Sequence, residues 1–310
     1  MNLGHDHSHG HSHDHSGGNR TRLAWAFAIT ATILVAEVVG AIVTNSLALL
    51  VDAAHMLTDT LGLLLALTAA NLIMRKPTTK RTWGFRRAEV LSATFQSALL
   101  LAVGIYAAID AVRRLFTPAE VQPEGLLAFG IIGLLGNVIS MWIISAGRNS
   151  NLNMRAAFLE VVNDALGSVA VIIAALVITY TGWMRADSVA ALVISALIVP
   201  RAMKLLGETT HILLESTPRG LDLLGVKAHL EALPGVIAVH DLHASQIASN
   251  LPVLTAHVVV EDSMFSAGVA GGLLRDLQQC VADHFTVSVE HSTFQIEPAS
   301  HQKTEREHGC

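Results

Sequence analysis

The stretch Ser46-Leu47-Ala48-Leu49-Leu50-Val51-Asp52-Ala53-Ala54-His55-Met56-Leu57-Thr58-Asp59 decides the fold. It is apolar enough to lie in hydrocarbon, yet it carries Asp52, His55 and Asp59. His55 and Asp59 are four residues apart, so in a helix the imidazole and the carboxylate stand one above the other on one face. Ionisable groups inside a membrane helix are costly and mark function. Asp52 lies three residues before His55 on the same side, placed to guide release of a bound ion or to relay protons.

This stretch opens an apolar run over about residues 46–74, and five more runs read alike: 23–44, 88–116, 125–146, 155–180 and 187–206. At about 1.5 Å per helical residue, each is long enough for a hydrocarbon core of about 30 Å. Composition agrees. The 310 residues are 52% hydrophobic and only 15% charged, with a mean hydropathy of +0.50, whereas soluble domains run near 25% charged. A net charge of -5 excludes a nucleic-acid binder, which needs a basic face for phosphates. Cys280 and Cys310 cannot make a disulfide framework, which puts the soluble part in a reducing compartment. The start of the chain is no signal peptide, because His5, His7, His9, His11, His13 and His15 alternate with Asp, Ser and Gly. The expected division is a disordered His-rich tail over 1–19, a six-helix membrane domain over 20–207, a soluble domain over 208–298 and a polar tail over 299–310.

Orientation follows from Lys and Arg near the span ends, which stay in the cytoplasm. With the N-terminus inside, Arg20, Arg22, Arg75, Lys76, Lys80, Arg81, Arg86, Arg87, Arg148, Arg155, Arg201 and Lys204 are cytoplasmic, against Arg113, Arg114 and Arg185 outside. Topology alone therefore accounts for the basic loop from Arg75 to Arg87, without a lipid or nucleotide site. Six spans return the C-terminal domain to the cytoplasm. That domain predicts a helix over 221–233, strands over 236–247 and 253–261, a helix over 268–284 and a strand over 287–297, with Leu251 and Pro252 in a hairpin turn. The order α-β-β-α-β points to a small open sheet with helices on one face, of the split βαβ, ferredoxin-like kind.

The fifth span repeats the pattern of the second: Glu160-Val161-Val162-Asn163-Asp164 puts two carboxylates one turn apart. His55, Asp59, Glu160 and Asp164 offer one nitrogen and three carboxylates, enough to close a four-coordinate shell around a divalent ion such as Zn²⁺. Three acids with no cationic partner repel one another, so a bound cation or shared protons must compensate them. Glu37 and Asp110 read as structural, the latter beside Arg113 and Arg114. On the last strand, alternation puts His291, Thr293, Gln295 and Glu297 on one face, and on the middle strand His257 shares a face with Val253, Thr255 and Val259.

The motif Ser46 to Asp59, the fifth-span motif ending in Asp164-Ala165-Leu166-Gly167-Ser168, and His240-Asp241-Leu242-His243 at the first strand resemble the cation diffusion facilitator family. The resemblance covers nearly the whole chain after the His-rich tail. It implies a secondary active transporter, not an enzyme, that exports divalent metal from the cytoplasm in exchange for protons. It further implies a homodimer in membrane lipid with metallochaperone-like tail domains, in a bacterial inner membrane with both termini cytoplasmic. Zn²⁺, or Co²⁺ or Cd²⁺, is then both cargo and regulatory ion, with no prosthetic group. Many zinc members have His where this chain has Glu160, and Glu there is similar to the cobalt, zinc and cadmium resistance branch. By the same resemblance His240, His257 and Glu297 form a second, cytoplasmic metal site, with His243 and His291 as extras; another His found in some members has no counterpart over 266–272. More oxygen donors harden the transport site, so an Fe²⁺ or Mn²⁺ exporter stays open as an alternative. A membrane-tethered metal sensor that transports nothing is another. An intramembrane metalloenzyme is disfavoured because no His-Glu-x-x-His pair is present.

Overall fold

The computed structural model describes residues 14–145, 152–266 and 270–302. Residues 1–13 of the expected tail, Arg148 and Cys310 lie outside the described residues. Six long helices come first: α1 (Asp14–Thr44), α2 (Leu47–Ile73), α3 (Ala88–Phe116), α4 (Pro123–Ser145), α5 (Leu152–Thr181) and α6 (Arg185–Leu213). Five of them, α2 to α6, are long and apolar enough to cross a membrane. In α1, the first expected span, the apolar stretch among the fully described residues is the shorter Ala28–Thr44. Helix α6 runs beyond the expected end at 206 to Leu213, because helical structure continues into polar residues such as Glu208 that hydropathy does not count.

The packing is that of helices in lipid. Large side chains such as Leu64, Phe95, Trp142 and Tyr180 are exposed, while Ala48, Ala107, Ala111, Ala174, Ala175 and Ala191 are buried in one cluster. Lipid offers no hydrophobic drive between helices, so small residues that let backbones approach make the contacts. Helices α1 and α4 meet at Gly40, where a Cβ would lie 2.5 Å from the Phe129 ring. One compact unit takes the described residues of Met1–Leu61 and Ala98–Met203, and a second takes those of Gly62–Ser97 and Lys204–Cys310.

Within the second unit, a small α+β domain follows the membrane helices: α7 (Leu223–Glu231), β1 (Val236–Ala248), β2 (Leu251–Val260), α8 (Asp262–Ser266), α9 (Ala270–Asp283), β3 (His291–Pro298) and α10 (Ala299–Gln302). The sheet order is β1-β2-β3, antiparallel between β1 and β2 and parallel between β2 and β3. Leu254, Ala256, Val258 and Val260 of β2 alternate into a core shared with Val226 and Leu230 of α7 and Leu273 and Leu277 of α9. Both helices thus pack into one core with the sheet, which leaves the opposite face to polar side chains. Cys280 of α9 is buried in that core and free, and burial pushes its thiol up.

One expectation is corrected. Leu251 and Pro252 are not the hairpin turn; they open β2, and the turn falls on Ser249 and Asn250. Proline lacks a ladder donor, yet here it pairs only with Gln246 of β1, because β3 joins the ladder first at Val253. The basic loop is partly folded on itself: Thr78 pairs with Arg81, and the Arg81 guanidinium lies 4.3 Å over the Phe85 ring. At its end Arg87 donates to Glu215 at 2.6 Å.

Candidate functional site

The first helical pair of site residues is set up at the N-terminus of α2. Asn45 takes a left-handed conformation with φ 55° and ends α1, and the Ser46 hydroxyl caps α2 by accepting the Leu49 amide at 3.2 Å. Asp187, buried at the start of α6, completes the cap: its carboxylate accepts the Leu47 amide at 2.7 Å, the Ala48 amide at 3.3 Å and the Ser46 hydroxyl at 2.5 Å. A carboxylate suits a helix N-terminus, where unpaired amides and the helix dipole both favour negative charge. Sequence reading missed Asp187, since nothing near residue 46 marks a partner 141 positions away.

From that cap, α2 presents His55 and Asp59, and α5 presents Glu160 and Asp164. All four residues meet. His55 Nε2 lies 3.5 Å from Asp59 Oδ2, 3.6 Å from Glu160 Oε1 and 3.8 Å from Asp164 Oδ1. One ligand atom each from His55, Glu160 and Asp164 lies within 4.8 Å of the other two. His55 and Asp164 are buried, whereas the side chains of Asp59 and Glu160 are about a quarter exposed. The site is therefore closed on one side and open on the other.

The expectation of acids without a cationic partner is also corrected. Arg201 of α6, which sequence reading only counted among the cytoplasmic basic residues, grips Glu160 with two nitrogens, one at 2.7 Å and the other closer still. Three carboxylates and one guanidinium leave two negative charges unmatched, the charge of one divalent cation. Asp52, the expected relay, is buried and interacts with Glu37 of α1, also buried; both carboxyl groups keep one oxygen without a hydrogen-bond partner. Gly133 and Gly167 make room for this pair, since a Cβ at Gly167 would lie 2.7 Å from Asp52 Oδ1 and one at Gly133 3.0 Å from Glu37 Oε1. Asp110 is held by Arg114 at 3.0 Å, as its neighbourhood in the sequence suggests.

The soluble domain brings together His240, His257 and Glu297 on the face of the sheet away from its helices. His240 and His257 are direct partners on β1 and β2, with ring centroids 5.1 Å apart. Glu297 on β3 reaches His257 Nδ1 at 2.8 Å and His240 Nε2 at 3.7 Å, and Gln295 donates to it at 2.7 Å. The three ligand atoms fall within 4.8 Å of one another. Glu297 is buried and the two imidazoles are half-buried.

Strict alternation would put His240 and His243 on opposite faces, but a bulge between them pairs His240 with His257 and His243 with Thr255. Both therefore share the polar face. In the bulge Asp241 adopts φ 51°, a conformation Asp tolerates better than most residues. His243 donates to Asp241 at 2.9 Å, and that bond first, with the charges of the nearby histidines, holds the Asp241 carboxyl below its usual range. His291 stands apart from the three-residue cluster, edge-on to Trp83 with 4.8 Å between ring centroids.

Apolar helices enclosing a nitrogen-and-carboxylate cluster, joined to a small α+β domain with a second such cluster, define a multi-pass membrane protein with two candidate metal centres. The chain belongs to the cation efflux family. Residues 23–214 match the family's Cation efflux transmembrane domain, and residues 218–299 match its Cation efflux protein, cytoplasmic domain. Metal cation efflux system protein CzcD of Cupriavidus metallidurans is 43% identical over 272 residues, 88% of this chain and 84% of the relative. Zinc transporter ZitB of Escherichia coli is 39% identical over 273 residues, 87% and 85% of the two chains. The cadmium, cobalt and zinc/H(+)-K(+) antiporter of Bacillus subtilis is 35% identical over 270 residues, 86% of each.

Proposed function

We propose that this chain exports divalent metal cations from the cytoplasm in exchange for protons, with Zn²⁺ the foremost cargo and Co²⁺ and Cd²⁺ also carried. The observation that carries this reading is the meeting of His55 Nε2 with three carboxylates, 3.5 to 3.8 Å away, on two apolar helices. Four such donors suit a borderline ion in tetrahedral geometry. The same lone pairs take protons, so metal and protons compete for one set of ligands. Metal entering from the cytoplasm is displaced by protons from the far side, as the helices that hold the site rock between two openings. Asp52 with Glu37, buried in the same unit, is the proposed proton relay.

The arrangement of the protein belongs to the same proposal: six spans with α1 as the first, both termini in the cytoplasm of a bacterial cell, and a homodimer in the inner membrane. So does the division into a tail over 1–19, a transport domain over 20–207, a ferredoxin-like domain over 208–298 and a polar tail over 299–310. His240, His257 and Glu297 bind a regulatory ion, which biases the dimer by its different affinity for the two states.

Purified protein in liposomes tests the transport. Zn²⁺ and Co²⁺ flux is expected to rise when the pH gradient drives protons against the metal; flux indifferent to the gradient refutes the exchange. If Asp52→Asn keeps its full gradient dependence, Asp52 is no relay. For the soluble site, His257→Ala is expected to remove one bound Zn²⁺ per chain in calorimetry while transport at saturating metal persists. An unchanged binding stoichiometry would dismiss that site.

A further inference from the structure

We propose that Arg201 is a resident counter-cation of the transport site, a tethered charge that metal must displace from Glu160 to complete its ligand shell. This rests on reading His55, Asp59, Glu160 and Asp164 as the cargo site. Arg201 donates through two guanidinium nitrogens to both oxygens of Glu160, the bidentate geometry that makes such pairs strong and directional. The same Glu160 Oε1 that accepts one of these bonds at 2.7 Å faces His55 Nε2 at 3.6 Å. Glu160 is thus shared between two cations, one fixed and one passing.

The placement of Arg201 favours a removable contact. It follows Pro200 in α6, where the missing amide loosens the helix, and its side chain is 47% exposed, against 6% for His55 and Asp164. Asp164 and His55 form the buried half of the site, and Glu160 with Arg201 forms its open rim. Metal arriving at the rim meets a carboxylate already occupied, so binding is weakened and release is eased. A carrier gains from this, because a four-ligand site with no competitor holds its ion too long for turnover. The Glu at position 160 and the Arg at position 201 then act as one unit: a His at 160 would need no such partner.

Calorimetry of Zn²⁺ binding to the full chain in detergent, together with liposome flux, separates the outcomes. Arg201→Gln is expected to tighten binding by about tenfold or more, since removing a positive charge beside a cation site strengthens it, and to lower the maximal flux. Arg201→Lys, which keeps the charge without the fork, should fall between. In a Glu160→Gln background the tightening by Arg201→Gln should shrink to the part due to the arginine's charge alone, a coupling that a purely structural role of the arginine would not produce. Unchanged or weaker binding in Arg201→Gln, or the same gain in the Glu160→Gln background, overturns the proposal. If Asp164→Asn abolishes binding while Arg201→Gln does not tighten it, the arginine's role alone fails. If Asp164→Asn leaves binding intact, the cargo-site reading fails and this inference with it.

Discussion

Asp164→Asn is expected to lower metal flux about 100-fold or more, the loss of a direct ligand exceeding the 10- to 100-fold typical of groups that only orient one. The amide keeps the shape of the carboxylate and one carbonyl oxygen, but removes a full negative charge from the buried half of the site, where Asp164 is 5% exposed. There the ion gives up most of its water, and only fixed charge and ligand bonds compensate for that loss. With Arg201 still in place, the variant has one unmatched negative charge where the native site has two, too few for a divalent cation. Flux of Zn²⁺ into liposomes and binding by calorimetry should fall together. A variant that binds normally but transports slowly would make Asp164 a residue of the moving machinery, and one that does both normally would remove it from the site. The same change at Asp59, which is more exposed, should cost less.

The two i, i+4 pairs were legible because helical periodicity is short-range: knowing that residues 46–59 and 160–164 are helical is enough to place His55 above Asp59 and Glu160 above Asp164. That the two pairs face each other depends on packing between α2 and α5, and there scarcity of charge in the apolar runs substituted for geometry. Arg201 had no such signal. Its position near the end of an apolar run is also where topology puts basic residues, so one observation had two explanations and sequence could not choose between them.

The soluble domain shows the same boundary between local and distant information. Alternation correctly puts Thr293, Gln295 and Glu297 on a face away from Phe294 and Ile296, which pack with the core. The bulge after His240 and the turn at Ser249 and Asn250 were not legible. A bulge changes register by one residue with no compositional mark, and Pro252 signals a turn wherever the extent of the neighbouring strand is unknown. Where β3 begins decides whether Pro252 offends the sheet, and that is a tertiary fact.

Asp187→Ala is expected to destabilise the membrane domain by about 2–4 kcal/mol. Three donors lose their acceptor at once: the Leu47 and Ala48 amides and the Ser46 hydroxyl. Each buried donor left unsatisfied costs about 1–3 kcal/mol, and relief from burying a carboxylate offsets part of the sum. Asp187→Asn, which keeps an acceptor oxygen and the side-chain shape, should cost about 1 kcal/mol, near a typical cap. Because membrane proteins often unfold irreversibly, half-lives of the folded protein in detergent at fixed temperature are the measure, with alanine much the shortest. The effect should reach the metal site. His55 lies eight residues into α2, about two turns from the cap, so fraying of the first turn loosens the ring that the three carboxylates share. Asp187→Ala should therefore weaken Zn²⁺ binding even at temperatures where the protein stays folded. Normal affinity together with a shortened half-life would show that the cap supports the bundle without aligning the ligands.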